Sequence, residues 1–124
     1  MVAQILKISS AYSPPPPGGF VSPMTWGVES NVIERFGGAG VAKDKISFAE
    51  DTYVLNYPGP TSGLVAAFRN YYGPTMNAFA AADKNGRAAD LLRELEELFA
   101  RQNTAASKDS TSIPATFLRV TVVV

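Results

Sequence analysis

The chain has 124 residues, 46% of them apolar and 18% charged, and its 11 basic and 11 acidic side chains leave no formal net charge. That composition belongs to a folded domain rather than a disordered segment, and it lacks the basic excess of a nucleic-acid or anionic-membrane binder. With neither cysteine nor histidine, the chain cannot form disulfides or cysteine metal sites, and it cannot run serine–histidine or cysteine–histidine catalysis by itself.

No run approaches the ~20 apolar residues of a membrane span. The opening MVAQILKISSAY has too short an apolar stretch for a signal peptide, so it reads as the body of a helix. The cytoplasm is the expected compartment, with neither a membrane nor a nucleic acid as partner. Val2, Ile5, Leu6 and Ile8 can share one face of that helix. Pro14–Pro17 then stop it and hold the chain extended, as a stiff connector or as a proline-rich recognition motif. Gly18 and Gly19 release it. The next helix spans Val28–Phe36, with Val28, Val32, Ile33 and Phe36 on one side and Gly37, Gly38 and Gly40 closing it.

Lys45–Tyr57 reads as a strand with a defect. Ile46 and Phe48 are apolar at even positions, whereas Tyr53, Leu55 and Tyr57 are apolar at odd ones. A strand has period two, so the switch predicts a bulge or break within Ala49–Thr52. After the turn at 58–60, Thr61 or Ser62 can cap a helix carrying Leu64, Val65 and the run Phe68–Tyr72. Gly73-Pro74 breaks it, and a further helix runs from about Thr75 to Lys84, closed by Asn85-Gly86. The clearest element is the helix Arg87–Gln102, where Leu91, Leu95 and Leu98 stack at helical spacing and Glu97 can pair with Arg101. Thr104–Ser112 reads as a polar loop and Phe117–Val124 as a β-branched strand. The predicted fold is α+β, a single domain over 1–124. It has four to five helices and two antiparallel strands at about 45–57 and 116–124.

Several patterns invite a chemical reading. FGGAG at 36–40 has the glycines of a phosphate-cradling loop, but such a loop follows a strand and opens a helix; here the glycines follow a helix, so they read as its end. Asp90, Glu94 and Glu97 could hold a cation, yet their alternation with Arg87, Arg93 and Arg101 fits a solvated, self-neutralised face. Glu50 and Asp51 are adjacent and point to opposite strand faces unless the bulge turns them together. Trp26, Tyr53, Tyr57, Tyr71, Tyr72 and Phe79 lie near turns or strand ends, as core residues or as the walls of an apolar pocket with polar tips.

YSPPPPGGFVSPMTWGVESNVIERFG, then FRNYYGPTMNAF, then IPATFLRVTVVV carry a resemblance over nearly the whole chain. In the order and spacing of the prolines, the Trp-Gly, the YYGPT and the terminal strand, it resembles the C-terminal part of class I S-adenosylmethionine-dependent methyltransferases. The likeness is to the small bacterial enzymes grouped with type 11 and ubiquinone/menaquinone-biosynthesis methyltransferases. The resemblance implies a seven-stranded doubly wound parent fold, in which Lys45–Tyr57 is the sixth strand and Phe117–Val124 the antiparallel seventh, lying between the fifth and the sixth. The helices between them look like the substrate-side cover, and the resemblance separately implies Trp26, Tyr71 and Tyr72 as substrate-binding residues.

Nothing in the chain matches the family's cofactor loop, its ribose-holding acid or its adenine segment. The resemblance therefore implies a substrate-side part without its cofactor-binding half. No catalytic, cofactor-binding or metal residue can be assigned, and S-adenosylmethionine is the cofactor of the parent family only. Such a part is expected to be inactive alone. Two other readings stand beside it: a non-enzymatic dimerising or small-ligand-binding module, and a subunit that completes a methyltransferase in trans with a cofactor-binding partner chain. Because the terminal strand would have lost one neighbour, a homo-oligomer through that strand is also expected.

Overall fold

A computed structural model describes all residues, Met1–Val124. The architecture is α+β: five helices and one antiparallel two-stranded sheet. In chain order these are α1 (Val2–Tyr12), a 3₁₀ turn (Pro23–Gly27), α2 (Glu29–Gly38), a second 3₁₀ turn (Lys43–Lys45), β1 (Ile46–Tyr57), α3 (Thr61–Tyr71), α4 (Gly73–Lys84), α5 (Ala88–Gln102) and β2 (Thr111–Val122). No helix is long and apolar enough to cross a membrane. The chain divides into two compact units: a helical unit of Met1–Pro16 with Val54–Ala115, and a smaller unit of Pro17–Tyr53 with Thr116–Val124.

The helical unit is organised by α5. Its apolar stripe at 91, 95, 98 and 99 is fully buried, and the helix packs on α1, α3 and α4. Ile5 and Tyr12 of α1, Leu64 and Val65 of α3, Ala78, Phe79 and Ala82 of α4 and Ile113 of β2 complete the core. Each such large side chain contributes roughly 1.5–3 kcal/mol by leaving water. Asp90 in the first turn and Arg101 in the last complement the helix dipole. In α1 the buried face is Ile5, Ser9 and Tyr12, whereas Val2 is exposed.

Two helices end in the same left-handed glycine cap. At the end of α2, Gly40 takes φ +87°; its N–H donates to the Gly37 carbonyl and the Val41 N–H to that of Phe36. At the end of α4, Gly86 takes φ +67°, with Gly86 donating to Asp83 and Arg87 to Ala82. Both are six-residue closures that satisfy the orphaned carbonyls. By contrast, α3 starts at Thr61 with Pro60 before it and no side-chain cap, so neither Thr61 nor Ser62 has the capping role the sequence suggests.

β1 corrects the expected bulge. It is one unbroken strand, and its register holds across the suspect stretch. The Val123 N–H donates to the Lys45 carbonyl, and the Thr52 and Thr116 hydroxyls meet at 3.3 Å. The steps from Lys45 to Thr52 and from Thr116 to Val123 are equal in number, so neither strand has an extra residue between these pairs. Odd positions are thus hydrogen-bonded across the ladder, and even ones are the closer, non-hydrogen-bonded pairs. The apolar switch has another cause. In the helical unit the covered strand positions are odd: Leu55 and Tyr57 are partly buried, and Thr111, Ile113 and Ala115 are buried. In the smaller unit they are mainly even: Ile46 is buried, and Phe48, Leu118, Val120 and Val122 are partly so. The parity changes where the division between the units cuts the two strands.

β2 begins at Thr111, earlier than the expected 116 or 117, and stops at Val122 rather than Val124. Asn103 draws the polar segment into the ladder: its Oδ1 accepts from the N–H groups of Ala105 (3.1 Å) and Ser112 (2.8 Å), and its Nδ2 donates to the Ser110 carbonyl. The Thr111 hydroxyl donates to the Gly59 carbonyl at 2.8 Å, fixing the start of β2 beside the end of β1. Pro114 falls inside the strand, at an even position. A donor there would point away from β1, so its missing N–H costs the ladder nothing.

Two substitutions test the packing. Thr75 is fully buried and its hydroxyl has no hydrogen-bond partner. Thr75→Val keeps the shape and removes a desolvated donor, so thermal unfolding should shift upward by an amount worth about 1 kcal/mol; a lower midpoint would show that the hydroxyl is satisfied. Gly63 lies under the Tyr57 ring, where an added Cβ would come within 2.8 Å of Cε1 and Oη. Gly63→Ala improves helix propensity by roughly 1 kcal/mol, but overpacking of a fitted ring costs about 1–3 kcal/mol. Denaturant unfolding should therefore record a net loss, and a gain would mean that the ring moves freely.

Candidate functional site

Trp26 lies in the 3₁₀ turn Pro23–Gly27 of the smaller unit. Pro23 sets the backbone of the first residue of the turn, and Ser22 caps it, its hydroxyl accepting from the Met24 N–H. The Thr25 hydroxyl donates to the Ser22 carbonyl at 2.7 Å and accepts from Arg35 Nη2 at 2.8 Å. That second bond holds the Arg35 guanidinium 4.5 Å above the Trp26 ring, a cation–π contact. Beside it is an open hollow of about 380 Å³ lined by Thr25, Asn31, Glu34, Arg35 and Gly38. Trp26 does not itself line the hollow, and at 48% exposure part of its ring stays open to contact.

Tyr71 and Tyr72 belong to the helical unit, at the junction of α3 and α4. Although adjacent, they differ. Tyr71 is 85% exposed. Tyr72 is partly buried and packs edge-on against Phe68 at 5.3 Å, and Phe68 packs edge-on against Phe99 at the same distance. Tyr72 therefore extends the core, and Tyr71 stands in solvent. Of the other aromatics, Phe79 is core beneath the Arg69 guanidinium, Tyr57 is held between Gly59 and Gly63, and Tyr53 is exposed.

A second open hollow, about 360 Å³, lies in the helical unit between Asn56, Tyr57 and Pro58 on one side and Ala105 and Ser110–Ser112 on the other. No charged side chain lines it, and the Asn56 amide, the Tyr57 phenol and the Ser110, Thr111 and Ser112 hydroxyls offer hydrogen bonds rather than acid–base chemistry.

The carboxylates are dispersed. Asp51 pairs with Arg119 at 2.9 Å, and Asp90 with Arg93 at 2.8 Å. The expected Glu97–Arg101 pair does not form. Glu94, read from the sequence as part of a solvated face, instead accepts a 2.5 Å hydrogen bond from the Tyr12 hydroxyl, and Arg87 lies 4.4 Å over the Tyr12 ring. This cluster ties α1 to α5, a contact that the charge alternation along α5 does not reveal. The available signal was Tyr12 extending the Ile5 stripe just before the prolines. No group of three or more carboxylates converges where a metal ion could sit.

The glycines at 37, 38 and 40 do not fit the cofactor of the resembling family. The Gly40 and Val41 N–H groups are spent on α2's own carbonyls, and no helix N-terminus follows them before β1 except the three-residue turn Lys43–Lys45. Compared with known proteins, the chain matches no family model, no curated protein and no solved structure.

The Tyr12 cluster carries a pH dependence. The hydrogen bond to the Glu94 carboxylate, with burial and that same negative charge adding to it, raises the Tyr12 pKa above its ordinary 10.0. The folded state therefore holds this proton more tightly than the unfolded chain. The stabilisation is fully present below the unfolded value and is lost as pH rises through the folded one. Unfolding midpoints should accordingly decline above about pH 10, and Tyr12→Phe should flatten that alkaline limb. An unchanged limb would mean that the bond does not survive in solution.

Proposed function

We propose that this chain is the C-terminal, substrate-side part of a class I S-adenosylmethionine-dependent methyltransferase acting on a small molecule. On this reading it has no activity of its own and works in the cytoplasm. One observation carries the proposal beyond the sequence resemblance: a long strand, three helices and an antiparallel strand occur in the order of the sixth strand, cover helices and seventh strand of that fold. β2 pairs with β1 on one side only; on its other side Asn103 and Thr104 take the outward groups of Ser112, and Thr116–Val122 remains the stretch that a fifth strand could join.

The residues divide the work accordingly. Methyl transfer needs the donor methyl held against the acceptor, and this chain has no strand–glycine loop–helix unit to hold the donor. Its contribution is to bind and orient the acceptor. The part-exposed Trp26 ring offers an apolar face steadied by Arg35. In the helical unit, taken by itself, Tyr71 offers an exposed phenol, whereas Tyr72 packs into the core through Phe68. The cofactor-binding half would come from a preceding segment or a partner chain. A second reading, a non-enzymatic association module, is favoured by the same free edge and by exposed apolar side chains such as Phe20, Val21, Met24 and Phe117.

Calorimetric titration of the pure chain with S-adenosylmethionine tests the assignment of roles. No saturable heat is expected, and a one-to-one micromolar isotherm would contradict it. The coding DNA upstream of the Met1 codon separates the readings. An in-frame glycine-loop half supports a single enzyme and a neighbouring gene for that half supports assembly in trans, whereas neither would leave the association module.

A further inference from the structure

We infer that the isolated chain forms a two-fold dimer by antiparallel pairing of β2 with β2 of a second copy, centred on Leu118. The inference rests on the geometry of this strand and not on the methyltransferase reading.

Because odd residues of β2 are bonded to β1, the N–H and C=O groups of Thr116, Leu118, Val120 and Val122 point to the free edge. Pro114 has no donor to offer there, so the pairable run is Thr116–Val122, a normal strand length. Natural edges are usually guarded by unpaired charge, strong twist or very short length. The only charge on this run is Arg119, and Asp51 of its own sheet already neutralises it at 2.9 Å. The edge of β1 differs: Glu50, exposed and in no ion pair, would meet its own copy near any two-fold axis close to it. The free edge that tolerates self-pairing is therefore that of β2.

Side-chain chemistry selects the register. Pairing centred on Arg119 would set two guanidinium groups directly opposite each other in a close, non-hydrogen-bonded pair, which is destabilising. Pairing centred on Val120 sets Arg119 against Thr121. Pairing centred on Leu118 sets each Arg119 opposite Phe117 of the second copy. Phe117 is 49% exposed and lies on the same face as Arg119. Two symmetry-related arginine–aromatic pairs result, each arginine still within reach of its own Asp51. The outward pairs Leu118–Leu118, Thr116–Val120 and Val120–Thr116 add about six backbone hydrogen bonds, giving a four-stranded sheet in the order β1-β2-β2-β1. A chain without net charge adds no long-range repulsion.

Light scattering through a dilution series should show a dimer at high micromolar concentration, and a monomer throughout would overturn the inference. Thr116→Pro removes an outward donor while sparing the ladder to β1, as Pro114 already does one pair earlier. It should weaken dimerisation at least tenfold with the far-UV circular dichroism unchanged, and a folded, equally tight dimer would count against the β2 edge. Should that variant unfold, cysteine cross-linking decides, because the chain has no cysteine of its own. An equimolar mixture of Phe117→Cys and Arg119→Cys proteins should form a mixed disulfide faster than either protein alone. Equal rates, or faster linkage in a mixture of Arg119→Cys and Thr121→Cys, would reject the Leu118-centred register.

Discussion

The pairing of Ile46–Tyr57 with Thr111–Val122 is the constraint on which the other elements depend. A strand turns successive side chains to opposite faces, and two strands held in fixed register must do so together. Lys45 opposite Val123 and Thr52 opposite Thr116 hold that register without an inserted residue. Once it is fixed, Ile113 and Leu55 can only share a face with Tyr57 and Thr111, and Ile46 and Phe48 only with Val120 and Val122. A two-stranded sheet has little stability of its own, so each stretch of it persists through what covers it within its unit.

The cover differs between the units. In the helical unit, Leu91, Leu95, Leu98 and Phe99 of α5 meet three other helices and Ile113, and nearly all of that surface is out of water. The smaller unit has Val32 and Ile46 as its buried apolar residues, and its side chains at Phe20, Val21, Met24, Trp26 and Val28 remain exposed. Fewer buried apolar contacts mean a lower free energy of local opening. The unit that presents Trp26 and the free edge of β2 is thus also the more easily opened one. That combination suits a surface completed by another chain or by a ligand.

Much of this was legible in the residues. The stripe of α5, the proline stop after α1, the glycine ends of α2 and α4 and the existence of two strands follow from periodicity and turn chemistry. The change of alternation in β1 is legible in its residues, but a bulge would leave the same pattern. Periodicity reports that the buried face changes, but not whether the backbone or the covering element is responsible. The start of β2 was hidden for a related reason. Thr111–Pro114 looks like loop because the forces placing it in the ladder are the amide of Asn103 and the carbonyl of Gly59, neither of which leaves a periodic trace. Trp26, Tyr71 and Tyr72 could be singled out as amphipathic aromatics. Their different burial depends on Phe68, Phe99 and Arg35, which only the fold brings beside them.

Which backbone groups point outward from the ribbon, and hence what its edges can pair with, follows from an unbroken register. Amide hydrogen exchange along β1, resolved by residue, measures this most directly. The account predicts one parity throughout: Ser47, Ala49, Asp51, Tyr53, Leu55 and Tyr57 protected, with Phe48, Glu50, Thr52, Val54 and Asn56 exchanging fast. A bulge would place protection on even residues on one side of Ala49–Thr52 and on odd residues on the other, and that result would contradict the account.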